Sequence, residues 1–276
     1  MQISNLFDLT GKVAVVTGGG GSLGGAIARG LAAAGAKVAV TGRTTTRADK
    51  VAEAIAEAGG SARAYAMDVF EKATVAACAQ AIAEDLGDVD ILVNAAGGNR
   101  KEATTSPDQS FFDLPYESVR DVITLNLVGG VILPCQLFAK SMTQNPAGGS
   151  IVNISSMAAA QPLTRVVGYS AAKAAVDNFT KWLAVHMAKE YSPKMRVNAI
   201  APGFFLTDQN RFLLTDEKTG ELTGRGRTII DHTPQGRFGE PDDLVGAALW
   251  LASDAARFTT GIVVPIDGGF SAFSGV

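Results

Sequence analysis

Short apolar runs without polar alternation recur along the chain, each followed by a longer stretch with helical spacing. The runs are 13–16 (Val13-Ala14-Val15-Val16), 37–41, 62–67, 91–93, 150–154, 195–200 and 261–266. A strand that reads as a continuous apolar run has both faces buried, which is the condition of a parallel sheet covered by helices on either side. The stretches 23–34, 48–58, 73–86, 119–142, 169–191 and 242–252 supply those helices, with Gly35 and Gly59-Gly60 stopping the first two. The pattern predicts an α/β fold: one doubly wound, seven-stranded parallel sheet with helices on both faces, a single domain over residues 1–276. No linker, low-complexity tract or short-period repeat interrupts it. Residues 98–114 and 204–238 break the rhythm. Both follow strands, and ligands of open parallel sheets lie beyond the carboxyl ends of the strands, so both are predicted to wall a substrate pocket.

Composition narrows the function classes. With 276 residues, 47% hydrophobic and 18% charged, the chain can bury a substantial core. A net charge of −3 supplies no basic field for nucleic acid or an anionic membrane, so neither partner is expected. Cys78 and Cys135 have no paired spacing, which suits a reducing cytoplasmic setting. The N-terminal residues lack the basic-then-apolar run of a signal peptide. Residues 122–139 are uncharged and long enough for a membrane span, but Asn126, Gly129, Gly130, Pro134 and Gln136 point to a buried globular helix. His186 and His232 stand apart, without a ligand pattern, and no metal site is expected.

Thr17-Gly18-Gly19-Gly20-Gly21-Ser22-Leu23-Gly24 follows the first strand and opens the first helix. Glycines there let the backbone approach a pyrophosphate, and the helix N-terminus offers N–H donors and a favourable dipole. Asp68-Val69 after the third strand and Asn94-Ala95-Ala96-Gly97 after the fourth lie where a dinucleotide would pass. The second strand ends in Thr41-Gly42-Arg43, with no carboxylate for a ribose 2′-hydroxyl. Arg43 would meet a 2′-phosphate, so NADP(H) is favoured over NAD(H); stacking on adenine and a solvated charge are its alternatives. Tyr169 and Lys173, at i and i+4, share one helix face, and a lysine cation there would lower the phenol pKa from its usual ~10. A phenol so tuned can pass protons to and from an alcohol oxygen, the complement of hydride transfer by a dinucleotide.

Ser156 precedes Tyr169 by thirteen residues, and Asn126 is a lone polar residue in an apolar helix. With these marks, in this order, the chain resembles the short-chain dehydrogenase/reductase family: the loop at 17–24, Asn94–Gly97, Asn126, Ser156, Tyr169 with Lys173, and Pro202-Gly203 followed by Thr207. The resemblance implies a Rossmann-like sheet and a homotetramer. It implies Tyr169 as general acid/base, Ser156 as a hydrogen-bond partner of the reacting oxygen, and Lys173 on the nicotinamide ribose. Asn126 would hold a proton-relay water, and Pro202, Gly203, Phe205 and Thr207 would lie by the nicotinamide. Gly18, Gly20, Ser22, Leu23 and Gly24 would carry the pyrophosphate. Ser22 stands where the family has its second glycine, and Gly21 where NADP-dependent members are often basic, which weighs against NADP(H).

The insert 97–105, the turn 201–205, residues 233–240 and the ending 267–276 are similar to the D-mannonate oxidoreductase (fructuronate reductase) branch. That similarity implies a keto-uronate/aldonate pair as substrate. Asn99, Arg100, Arg165, Gln209, Asn210 and Arg211 bring amide and guanidinium groups suited to a polyol carboxylate, with Ser156, Met157 and Tyr169 beside them. Another small polar or acyl carbonyl, or a non-catalytic dinucleotide-binding regulator on the same fold, is the alternative.

Overall fold

The computed structural model describes residues 2–207, 210–216 and 219–275. Gln209 and Val276 lie outside the described residues. Seven strands, β1 (Val13–Thr17), β2 (Lys37–Gly42), β3 (Ser61–Ala66), β4 (Ile91–Asn94), β5 (Gly149–Ile154), β6 (Met195–Pro202) and β7 (Val263–Ile266), pair in parallel in the order β3-β2-β1-β4-β5-β6-β7. The expected Rossmann-like sheet is present. Helices α1 (Ser22–Ala33), α2 (Thr45–Glu57), α3 (Lys72–Asp85), α4 (Tyr116–Ile123), α5 (Leu133–Met142), α6 (Val167–Glu190), α7 (Arg211–Leu214), α8 (Gly224–Asp231) and α9 (Val245–Ala252) surround it.

The continuous apolar runs feed two separate cores. Ala14 and Val16, with Val38, Val40 and Val93, pack against Ile27 and Leu31 of α1, Ile55 of α2 and Leu251 of α9. Val13 and Val15, with Leu92, Ile151 and Val197, pack against Ile82 of α3, Phe138 of α5 and Val176 of α6. Successive strand residues point to opposite faces, and both faces are covered, so most positions are apolar and buried exceptions such as Asn94 and Asn153 are hydrogen-bonded. Each fully buried valine or leucine contributes about 2 kcal/mol in transfer terms. The edge strand β3 departs from this: its residues are mostly exposed or half-buried, because one flank faces solvent.

The helix expected over 119–142 runs without a break from Tyr116 to Met142, but Thr124–Ile132 within it winds as a π-helix. Close backbone approach explains the glycines here. A Cβ on Gly129 would lie 2.3 Å from the Val69 carbonyl oxygen, and one on Gly130 would lie 2.6 Å from that of Ala96. Long π-helical windings are uncommon and gather at functional sites. By length and hydropathy this 27-residue helix passes for a membrane span, yet half of its most apolar window is buried within this chain.

The helix expected at 242–252 begins with a 3-10 turn, Pro241–Leu244, fixed by a reciprocal Glu240–Asp243 capping box, before α9. Helices α7 and α8 within 204–238 carry no apolar period long enough to be read from sequence. The carboxyl-terminal stretch packs on its own chain. Phe270 meets Phe204 edge-on at 5.2 Å, and Gln161 donates to the Ser271 carbonyl at 2.8 Å. It thereby holds down the 204–238 segment, since Gln235 N–H also donates to the Gly268 carbonyl at 3.1 Å.

Candidate active site

The sheet order reverses its winding between β1 and β4, and that switch point opens a crevice at their carboxyl ends. Thr17 and Asn94 are paired there. The Thr17 hydroxyl accepts the N–H groups of both Ala95 and Ala96 at 3.1 Å, which binds the β4 loop to the glycine loop. Gly18 adopts φ +62°, and a Cβ on it would lie 2.9 Å from the Ala95 carbonyl oxygen, so only glycine fits. A Cβ on Gly24 would lie 2.5 Å from the Gly18 carbonyl oxygen. Helix α1 starts at Ser22 with no side-chain cap, leaving its first-turn N–H groups for an anion. A bare backbone cradle at an uncapped helix start fits a dinucleotide pyrophosphate.

Gly20 packs on Arg47 at the start of α2, where its Cβ would sit 2.9 Å from that of Arg47. Arg43 and Arg47 are both exposed, and neither holds an ion pair among the described residues. Asp68 accepts the Phe70 N–H at 3.0 Å and so shapes the turn after β3, with Val69 buried against the π-helical stretch. The Asn94 side chain turns into the sheet, donating to Asn153 at 2.9 Å and contacting the Cys135 sulfur at 3.3 Å. Asn153 in turn donates to Thr180 of α6 at 2.9 Å. Asn94 thus ties β4 to β5 and α6, leaving the backbone of Ala95–Gly97 to line the crevice.

Four polar residues meet where β4, β5, the π-helical stretch and α6 converge. Asn126 is fully buried. It accepts the Gly98 N–H at 3.0 Å and donates to the carbonyls of Gly98 (2.6 Å) and Val122 (2.8 Å). Ser156, just past β5, accepts the Ala158 N–H at 3.1 Å and lies near enough to the Tyr169 hydroxyl to favour its ionised form. Lys173, 4% exposed, donates to the Ile154 carbonyl at 2.7 Å and lies 5.6 Å from the Tyr169 ring centroid. Its Nζ would be 3.4 Å from a Cβ on Gly97. Ser155 donates to the Asp177 carboxylate, one turn further along α6.

The electrostatics differ from the sequence expectation. The Tyr169 phenol lies above its ordinary value of 10, because burial outweighs the opposing influence of Ser156. Lys173 sits beside the ring and is itself pushed down to about 8 by burial, with Asp177 partly offsetting this. Burial raises Asp177 as well. Sequence reasoning missed Asp177, although it was within reach as the i+4 neighbour of Lys173.

The expected substrate contacts separate into groups. Met157 is buried beside Ser156. Asn99 donates to Thr104 at 2.8 Å, and Arg100 pairs with Asp121 at 2.7 Å. Asn210 accepts the Thr207 N–H at 2.8 Å and donates to the Phe205 carbonyl at 2.7 Å, so its amide shapes the turn after β6. In that turn Gly203 packs against Asp267, and Phe205 against Gly239. Arg211 is exposed on α7. Arg165 is exposed, carries no side-chain partner among the described residues and has φ +78°. Arg225 on α8, absent from the sequence-derived set, is half-buried and feels the charge of Arg165.

A family model described as enoyl-(acyl carrier protein) reductase matches residues 18–271. The uncharacterized oxidoreductase UxuB of Bacillus subtilis is 46% identical over 280 residues, covering 98% of each chain. A candidate D-mannonate oxidoreductase from Haemophilus influenzae, solved with bound NAD, is 42% identical with a TM-score of 0.91 over the whole of both chains. A gluconate 5-dehydrogenase from Burkholderia cenocepacia, solved with NADP and tartrate, is 32% identical with a TM-score of 0.85, covering 99% of this chain and 100% of that one.

Proposed function

The chain belongs to the short-chain dehydrogenase/reductase family of nicotinamide-dinucleotide oxidoreductases acting on CH–OH groups, and on that premise we propose that it interconverts a keto-uronate and an aldonate, with fructuronate and mannonate as the pair. The observation that carries this reading is the meeting of Ser156, Tyr169, Lys173 and Asn126 at the switch-point crevice. Tyr169 is the proton donor and acceptor, and Ser156 steadies the reacting oxygen and the phenol together. A phenol held above its ordinary pKa stays protonated at neutral pH and serves as the acid in carbonyl reduction. Lys173 keeps its ammonium near Gly97 and the ring, and Asn126 fixes the loop that carries Gly97 and Gly98. The dinucleotide, held by Gly18–Gly24, Asp68-Val69, Ala95–Gly97 and Pro202–Thr207, supplies the hydride when bound.

Sugar-acid chemistry is supported by the likeness to the candidate D-mannonate oxidoreductase of Haemophilus and the gluconate 5-dehydrogenase of Burkholderia. Between the cofactors the proposal favours NADP(H), on the exposed and unpaired Arg43 and Arg47 and the absence of a carboxylate at the end of β2. The NAD bound to the Haemophilus protein favours the other choice. One experiment tests all three points: oxidation of NADPH and NADH against a panel of keto-uronates and neutral ketoses. The expected result is turnover of a keto-uronate, with kcat/KM higher for NADPH. Tight dinucleotide binding without turnover of any sugar acid would defeat the substrate reading. A higher kcat/KM with NADH would reverse the cofactor preference. The proposed setting is the cytoplasm, where the buried free thiols Cys78 and Cys135 stay reduced. The proposed assembly is a homotetramer.

A further inference from the structure

We propose that Arg165 and Arg225 together form a two-guanidinium seat for the carboxylate of the substrate at the mouth of the site. The seat rests on the sugar-acid reading above and gives it a physical origin in this chain.

Arg165 lies four residues before Tyr169, at the entry to α6. Its backbone is left-handed at φ +78°, alone in this among the described non-glycine residues. Such a conformation costs about 1 kcal/mol or more and persists only where the surroundings enforce it. The enforcing bond is visible: the Arg165 carbonyl accepts the Thr105 N–H at 2.9 Å, tying the 98–114 insert to the start of α6. Arg225, on the 204–238 segment, lies within range of the Arg165 charge. It is the second residue of α8, whose start is set by Thr223 accepting the Gly226 N–H at 3.0 Å. A Cβ on Gly226 would lie 2.2 Å from the Leu214 carbonyl oxygen, so α8 is pressed onto α7 and Arg225 is held in position.

Three electrostatic costs converge on Arg225. It is half-buried, Arg165 presents a like charge to it, and a cation in the first turn of a helix opposes the helix dipole. Neither guanidinium has an ion pair or a side-chain hydrogen bond among the described residues. Several other arginines of this chain are answered, and Arg43, Arg47, Arg211, Arg227 and Arg257, which have no side-chain partner among the described residues, are exposed where Arg225 is half-buried. Arg63 pairs with Asp85, Arg100 with Asp121 and Arg237 with Asp243, while the part-buried Arg196 donates to the carbonyls of Leu251, Ala252 and Ser253. Uncompensated conflict of this kind concentrates at ligand sites. Two guanidinium groups carried on separate segments, close enough to repel, fit a planar carboxylate, which would relieve the repulsion and satisfy both donors.

The test compares D-fructuronate with its neutral counterpart D-fructose in the wild type, Arg225→Met and Arg165→Gly. Glycine at 165 removes the charge and suits the left-handed backbone. Each substitution is expected to raise KM for fructuronate about 10- to 100-fold, the loss of a charge-assisted contact, with fructose unaffected. The melting temperature without ligand should hold or rise, whereas a purely structural arginine would lower it. An equal rise for both sugars, no rise, or a lowered melting temperature overturns the seat, and a preference for D-fructose 6-phosphate overturns the carboxylate assignment. If the wild type turns over no sugar acid, the functional reading fails, and calorimetry of the dinucleotide-saturated enzyme then judges the seat alone. Tartrate bound in preference to threitol, with the preference lost in Arg225→Met, sustains it. Equal binding of the two overturns it.

Discussion

The floor and the mouth of the candidate site are built on opposite electrostatic terms. At the floor, Lys173 donates to the Ile154 carbonyl, Ser155 to Asp177, and Asn126 bonds to Gly98 and Val122, so the polar groups are fixed before any ligand arrives. At the mouth, Arg165 and Arg225 lie within range of each other's like charge, and neither has an acidic partner among the described residues. Fixed, satisfied groups suit proton transfer, which needs preset geometry, while unanswered charge suits selection of a ligand that brings the missing sign. On the proposal above, general chemistry sits on strand and helix ends, and specificity sits at the entry to α6 and on the 204–238 segment.

The largest effect should come from the floor. Tyr169→Phe is expected to lower kcat about 10²- to 10⁴-fold with dinucleotide affinity unchanged, checked by steady-state rates and fluorescence titration. Undiminished turnover would remove the proton donor from the account. Lys173 supplies the next effect, through pH. Its folded pKa is about 8 against an ordinary 10.5, so between these values the unfolded chain binds more protons. This residue therefore makes stability rise from pH 8 to 10.5, with the burden greatest below 8. The buried thiols Cys78 and Cys135, each pushed up to about 12, act in the opposite sense above pH 9, so the quantity to measure is a difference. Relative to Lys173→Met, the wild type should gain about 3 kcal/mol in urea unfolding between pH 7 and 10.5. A pH-independent difference would mean that the ammonium is solvated in the folded chain.

Asn126→Ala removes the two bonds that hold Gly98 to the π-helical stretch and a third to the Val122 carbonyl, and should cost about 2 kcal/mol of stability, with a fall in kcat. A variant with full stability and lowered kcat would shift its role from loop anchor to chemistry. The smallest effect is expected from Arg100→Ala. Its exposed pair with Asp121 is worth less than ~1 kcal/mol, and KM for a sugar acid should move far less than in Arg225→Met. If Arg100 dominated KM instead, the distinction drawn between the answered and unanswered arginines would fall.

Much of the floor could be read from the chain alone. Apolar runs without alternation declare a doubly covered parallel sheet, and the glycine loop, Ser156, Tyr169 and Lys173 are placed by short spacings on single elements. The mouth was less legible. Asn99, Arg100, Asn210 and Arg165 are equally polar in sequence, yet the first three spend their side chains on neighbours that only the folded loops bring near. Arg225 carried no signal, since it lies sixty residues from Arg165 and on a helix without apolar period.

Local covalent order determined which elements form and which of their ends carry glycine, serine, tyrosine and lysine, because helical and strand periodicities act over a few residues. Only the tertiary structure decided the state of those groups: the phenol is pushed up and the ammonium down, since burial depends on what packs around a side chain from distant parts of the chain. The same holds for charge. An arginine's partner is chosen by loop packing, and no spacing in the sequence distinguishes one that is paired from one that waits for a ligand.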